Sequence, residues 1–231
     1  MPCSRFFYFA PIMAADREAY LQIAHTTAAQ QVTLVAVSKT KPVADILELY
    51  AWGQRHFGEN YVQELVEKQS QLPADVLWHF IGHLQTNKVK YIAPFIHLIH
   101  GVDSWKLLAE IDKQGRRNQR TIGVLLQVHI AQEETKFGLN ATELQQLLLQ
   151  WQQQRLQFVR IRGLMGMASF SENTNQVRNE FRVLKQLFEQ YRNTETDWDT
   201  LSMGMSGDYT IAIEEGSTLV RIGSLLFGLR S

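Results

Sequence analysis

The sequence predicts a parallel eight-stranded β/α barrel, a (β/α)8 TIM barrel, on three observations. Short β-branched or aromatic runs alternate with longer stretches of helical apolar spacing, and the alternation repeats eight times at roughly 24 residues per unit. The strand runs are apolar enough to be covered on both faces, as parallel strands flanked by helices must be. No G-x-G-x-x-G follows the first strand and no P-loop is present, which sets the runner-up, a doubly wound open sheet, behind the barrel. Residues 14–231 read as a single domain, because no linker, low-complexity tract or close repeat interrupts them.

An amphipathic helix over 14–30 precedes the first strand, 32–37. Pro42 suits the first turn of the next helix. A short second strand, 55–57, leads into a helix from near Asn60, and a third, 76–80, into one over 87–92. Residues 95–99 read as the fourth strand, followed by a helix that Ser104 caps and that runs towards Gly115. The fifth strand, 122–130, passes through a polar loop to a helix over 141–153, and the sixth, 158–165, leads to a helix over 175–191. Residues 198–203 supply strand seven and 219–222 strand eight, ahead of a short helix from near Ser224.

Composition bounds the function. The 231 residues carry 23 basic and 23 acidic side chains, a formal charge of zero, which argues against a polyanion-binding surface. At 45% hydrophobic and 20% charged, the chain can bury a full core and is neither disordered nor collagen-like. The lone cysteine, Cys3, excludes an intrachain disulfide and a cysteine zinc cage, and a cytoplasmic location is expected. Residues 1–13 read as a flexible extension with Met13 a plausible start; a secretory signal is the less favoured alternative, because Pro11 interrupts the short apolar run. No later run reaches the roughly 18 apolar residues of a membrane span.

Barrel enzymes carry their chemistry on the loops at the carboxyl ends of the strands. There the sequence places Ser38-Lys39-Thr40-Lys41, Phe57-Gly58-Glu59-Asn60-Tyr61, Ile81-Gly82-His83, Ser202-Met203-Gly204-Met205-Ser206-Gly207-Asp208 and Arg221-Ile222-Gly223-Ser224. The last two follow strands seven and eight, where barrel phosphates are usually held. Ser206 can donate its hydroxyl, and the amides of Ser206, Gly207, Gly223 and Ser224 can point at an oxyanion. The alternative is that these residues only make turns and caps.

Lys39, directly out of a buried strand, is expected to be partly desolvated and so a better nucleophile; a solvated loop lysine is the alternative. Lys41 shares its parity but abuts Pro42. An amine on one side and a phosphate cradle on the other match pyridoxal 5'-phosphate (PLP), which carries its aldehyde and its phosphate at opposite edges of one ring. Arg221 interrupts an apolar strand and needs an acceptor: either a salt bridge, with Glu59 a candidate, or the ring nitrogen of the cofactor, whose protonation it would disfavour. Met165, Met167, Met203 and Met205 read as rim packing, with Met203 counted among the residues facing a flat ring. His79 and His83 straddle a strand end, and His97 and His100 lack a carboxylate cluster, so no metal site is expected.

These segments, with Trp78-His79-Phe80-Ile81-Gly82-His83-Leu84-Gln85-Thr86-Asn87-Lys88, Lys136-Phe137-Gly138, Gly163-Leu164-Met165 and Phe227-Gly228, together resemble the pyridoxal phosphate homeostasis protein family (YggS/PROSC). The resemblance covers essentially everything after the first thirty residues. It implies a monomeric barrel like the N-terminal domain of alanine racemase, with the cofactor held as an internal aldimine on Lys39. It further implies that Asn60 lines the site, that Ser206, Gly207, Gly223 and Ser224 hold the phosphate, and that Arg221 faces the ring nitrogen. The implied role is regulation or carriage of PLP in vitamin B6 and amino-acid/keto-acid balance, without established turnover. PLP-accepting enzymes or a signalling protein would be its partners. Alanine racemase sets a second base across the ring from an added domain, for which little chain follows strand eight, so fast stereoinversion is not expected. A slow PLP-dependent racemase or lyase, and a sugar-phosphate barrel enzyme with Lys39 forming the imine, are the alternatives.

Overall fold

A computed structural model of the chain describes residues 15–131, 137–154, 156–192 and 198–228. The expected extension, 1–13, and Lys136 lie outside the described residues. Eight parallel strands close into a barrel in chain order: β1 (Thr33–Val37), β2 (His56–Glu59), β3 (Leu77–Phe80), β4 (Leu98–Val102), β5 (Ile122–Gln127), β6 (Val159–Met165), β7 (Thr200–Ser202) and β8 (Leu219–Ile222). Pairing of β1 with β8, which sets Val35 opposite Arg221, closes the ring.

Helix α1 (Arg17–Ala29) precedes β1, and α2 (Val43–Ala51), α3 (Val62–Gln69), α4 (Val89–Ile92), α5 (Trp105–Arg117), α6 (Ala141–Gln153), α7 (Thr174–Arg192), α8 (Tyr209–Glu214) and α9 (Ser224–Phe227) follow the strands in turn. Local signals set several helix starts. Asp16 and Ser104 cap α1 and α5 with side-chain acceptors, Asn140 and Glu143 form a reciprocal capping box on α6, and Pro42 stands at the cap of α2.

Strand parity divides the interior. Leu34, Ala36, Phe57, Trp78, Phe80, Leu201, Met203, Val220 and Ile222 belong to the large apolar core, which includes residues of the surrounding helices. Val35, Leu98, Leu125, Met165 and Leu219 form a second, smaller cluster. Alternation then puts Val35, Val37 and Lys39 on one side, and likewise Leu219, Arg221 and Gly223. The lumen is thus part apolar and part polar.

Several boundaries differ from the sequence reading, among them the second strand, His56–Glu59 and not 55–57, and the seventh, Thr200–Ser202 and not 198–203. The fourth strand is Leu98–Val102 and not 95–99, because the amides of Phe95 and Ile96 close back onto Ile92 at the end of α4. All five residues of β4 are buried, the polar His100 included. Residues 87–92 do not make one helix: a 3-10 turn, Thr86–Lys88, precedes a single α turn. The fifth strand ends at Gln127, with Val128 paired to Leu139 in an isolated bridge. Helix α8, between β7 and β8, was not singled out by periodicity.

Candidate functional site

The carboxyl ends of the strands surround a cavity of about 680 Å³. Lys39, Asn60, Ser206, Gly207, Arg221, Gly223 and Ser224 line it, drawn from β1, β2, β7 and β8 and the segments that follow them. Met203 does not. It is fully buried and sits in the outer core with Leu201, the two sharing the outward parity of β7, while Met205 lines the cavity.

The turn that carries Lys39 is tied at several points. The Ser38 carbonyl accepts from the Lys41 amide at 3.0 Å and from the Lys68 ammonium at 2.7 Å, and the Thr40 amide donates to Glu64 at 2.6 Å. Thr40 holds φ at 64°, a costly conformation for a β-branched residue, which these bonds maintain. The Lys41 ammonium donates to the Phe227 carbonyl at 2.7 Å, anchoring it to α9. Lys41 lines the same cavity as Lys39.

Behind the turn lies a buried ion pair that sequence reading missed. Glu59 is fully buried on the outer face of β2, where it meets Lys68 of α3 at 2.8 Å and accepts from the Ser38 hydroxyl at 2.6 Å. Burial pushes its carboxyl upward, while Lys68 and Ser38 pull it back down. Glu59 and Arg221 lie on opposite faces of the barrel wall, so the salt bridge weighed from sequence does not form. The signal that could have located the pair is the parity of Glu59 relative to Gly58 and Asn60.

Arg221 is buried at the cavity floor and donates to the carbonyls of Ser202 at 3.0 Å and Gly166 at 3.2 Å and to the Ser202 hydroxyl. Burial lowers its pKa to about 10, which leaves it cationic at neutral pH. The side-chain oxygen of Asn60 is buried in the wall with no hydrogen-bond partner. Across the cavity the Gly223 amide donates to the Ser206 hydroxyl at 3.3 Å, and a Cβ built on Gly207 would meet nothing within 4 Å. An orphaned polar atom, a small-residue cradle and a lysine on one cavity fit a ligand with an anionic end and an electrophilic end.

From Arg221 a row of hydrogen bonds crosses the lumen. Ser202 lies 3.1 Å from His100 Nδ1, His100 Nε2 is 2.9 Å from His79 Nδ1, and His79 Nε2 is 2.9 Å from His56 Nδ1. Arg221 can only donate, so the Ser202 oxygen accepts from it, and its second lone pair or its own hydrogen meets His100 Nδ1. With Ser202 as the donor each imidazole accepts at Nδ1 and donates from Nε2; with Ser202 as the acceptor the row runs the opposite way. Burial is the leading cause that lowers the pKa of all three rings, to about 4 for His56, so the row is neutral at pH 7. His56 carries no role in the sequence analysis.

The sequence model of the alanine racemase N-terminal domain matches residues 15–231. Among curated relatives, the pyridoxal phosphate homeostasis protein of Haemophilus influenzae is 40% identical over 205 residues, covering 87% of this chain and 86% of the relative. That of Homo sapiens is 42% identical over 215 residues, covering 87% of this chain and 77% of the relative. Among solved structures, PipY of Synechococcus elongatus with PLP bound superposes with a TM-score of 0.82 at 36% identity, covering 91% of this chain and all of that one. An alanine racemase from Streptomyces coelicolor, 16% identical with a TM-score of 0.71, shares the fold over 92% of this chain and 57% of its own. The chain belongs to the alanine racemase N-terminal domain family, and within it to the pyridoxal phosphate homeostasis proteins.

Proposed function

We propose that the chain binds PLP in the rim cavity and serves PLP homeostasis as a carrier or buffer of the cofactor. The observation that carries this reading is the convergence of Lys39 with Ser206, Gly207, Gly223 and Ser224 on one cavity, with Arg221 at its floor. The names of the relatives and the PLP-bound PipY structure support it. When bound, the cofactor supplies an aldehyde that condenses with a primary amine and releases one water. Lys39 brings such an amine to the cavity; Lys41, which also lines it, donates to the Phe227 carbonyl. Ser206, Gly207, Gly223 and Ser224 bind the phosphate through hydroxyl and amide hydrogens, and Asn60 offers its unpartnered oxygen. Arg221, fixed by three oxygen acceptors, holds a facing ring nitrogen unprotonated and so mutes carbanion chemistry. That supports a holding role over rapid turnover.

The test is an absorption spectrum of full-length protein after incubation with PLP and removal of the excess. A visible band is expected that borohydride abolishes, leaving the reduced cofactor on the peptide containing Lys39, and that Lys39→Ala lacks. A colourless protein, or a band and label that persist in Lys39→Ala, overturns the reading. Racemisation of alanine at a rate typical of enzymes, about 10 s⁻¹, would overturn the carrier role while leaving cofactor binding intact.

A further inference from the structure

At the opposite end of the barrel, the amino-terminal mouth, a second and smaller cavity of about 210 Å³ is lined by His56, His79, His97, Arg162 and Asp199, among others. The three histidines come from three successive strands: His56 opens β2, His79 lies within β3 and His97 immediately precedes β4. One nitrogen from each lies within 4.8 Å of the other two. We infer that these three imidazoles form a binding site for a divalent transition metal of the zinc class, with water from the cavity completing the coordination.

The geometry is close to what such an ion requires. Two nitrogens bound to one tetrahedral zinc at about 2.0–2.1 Å stand about 3.3 Å apart. His56 Nδ1 and His79 Nε2 are 2.9 Å apart, and the third nitrogen falls inside the 4.8 Å circle, so shifts of about an ångström complete the set. His56 and His97 are only partly buried, so their side chains have room to move and the ion a way in. An all-imidazole donor set suits zinc, copper or nickel and not magnesium or calcium.

The surroundings agree with the chemistry. Metal ligands must be unprotonated imidazoles, and burial, with neighbouring positive groups, keeps all three rings neutral at pH 7. A ligating histidine ordinarily donates its far N–H to an acceptor, and in the direction of the row that runs towards Ser202 that acceptor for His79 is His100 Nε2 at 2.9 Å. On metal entry the hydrogen between His56 and His79 gives way to the ion, and His79 carries its hydrogen on Nδ1, facing His100. Arg162, the nearby cation, is held by Asp199 through two hydrogen bonds of 3.0 Å each, which offsets its charge beside the site.

The test uses the full chain, stripped with a chelator and titrated with Zn²⁺ and, in parallel, with Co²⁺ as a spectroscopic probe. One equivalent of Zn²⁺ is expected to bind and to raise the melting temperature, and Co²⁺ to give the intense visible bands of four-coordinate geometry. His56→Gln and His97→Gln, both at partly exposed positions, should each weaken binding at least about tenfold, whereas His83→Gln at the other rim should not. Circular dichroism checks that the variants are folded. Failure of the wild type to bind saturably, a weak six-coordinate Co²⁺ spectrum, or binding that survives in both His56→Gln and His97→Gln overturns the inference.

Discussion

Replacing Lys68 with methionine isolates the buried pair behind the Lys39 turn. The Lys68 ammonium donates at 2.7 Å to the Ser38 carbonyl, 2.8 Å to Glu59 and 2.7 Å to Glu64. Without it the Glu59 carboxylate stays fully buried with the Ser38 hydroxyl as its remaining donor, since its second oxygen already has none. Removing one partner of a buried pair costs about 3–5 kcal/mol. For a chain of this size, with a urea slope of about 3 kcal/mol per molar, the unfolding midpoint should fall by about 1 to 1.7 M. The unpaired carboxyl is driven further upward, so the folded form takes up its proton at a higher pH than the unfolded form. The deficit of Lys68→Met should therefore shrink as the pH is lowered towards 5. Adding Glu59→Gln removes the uncompensated charge and should restore at least half of the loss. The reasoning is refuted if the single variant melts within about 0.3 M of wild type, or if the double variant is no more stable than the single.

Acid should weaken the fold through the lumen histidines. His56, His79, His97 and His100 all have folded pKa values below the ordinary 6.5, so below about pH 6.5 the unfolded chain binds more protons. The urea midpoint should hold steady from pH 8.5 to 7 and fall from about 6.5 towards 4, by up to about 1.4 kcal/mol per pH unit for each histidine; a flat profile across that window would contradict the assignment. Gly82→Ala should cost both stability and cofactor affinity. Its Cβ would stand 2.5 Å from the Asn60 carbonyl oxygen and 3.0 Å from the Asn60 Cα, so backbone must move at the cavity wall, and PLP titration should show at least about tenfold weaker binding. Gly207→Ala, which meets nothing within 4 Å, should melt close to wild type; equal melting temperatures for both variants would refute the clash.

Period and parity made most of this fold legible. The apolar runs at 32–37 and 219–222 map onto β1 and β8 almost residue for residue, because each is β-branched and buried on both faces. The fourth strand was misread because Phe95 and Ile96 are as apolar as a strand yet close the α4 turn, while His100 and Gly101 look polar or weak but are fully buried. Gly101 is required there by packing: a Cβ would come within 2.7 Å of the Gly82 carbonyl oxygen. At the rim, parity out of β1 and β8 brings Lys39 and Arg221 to one cavity, and the same rule, applied to β7, would have turned Met203 away from it. Parity likewise marks Glu59 as outward, towards the helix that carries Lys68. The histidine row was illegible for a different reason: it joins residues from separate strands, and a single sequence carries no signal for pairing across a barrel.

The row from Arg221 to His56 ties the two mouths of the barrel together. Its head is fixed, because a guanidinium has hydrogens to give and no lone pair with which to receive. Its foot is not: a ligand on His79 Nε2 would put the ring's hydrogen on Nδ1 and select the direction that runs towards Ser202. Ser202, the one hydroxyl in the row, accommodates either direction by rotation, so such a ligand would reach the floor of the other mouth as the turn of a single hydroxyl.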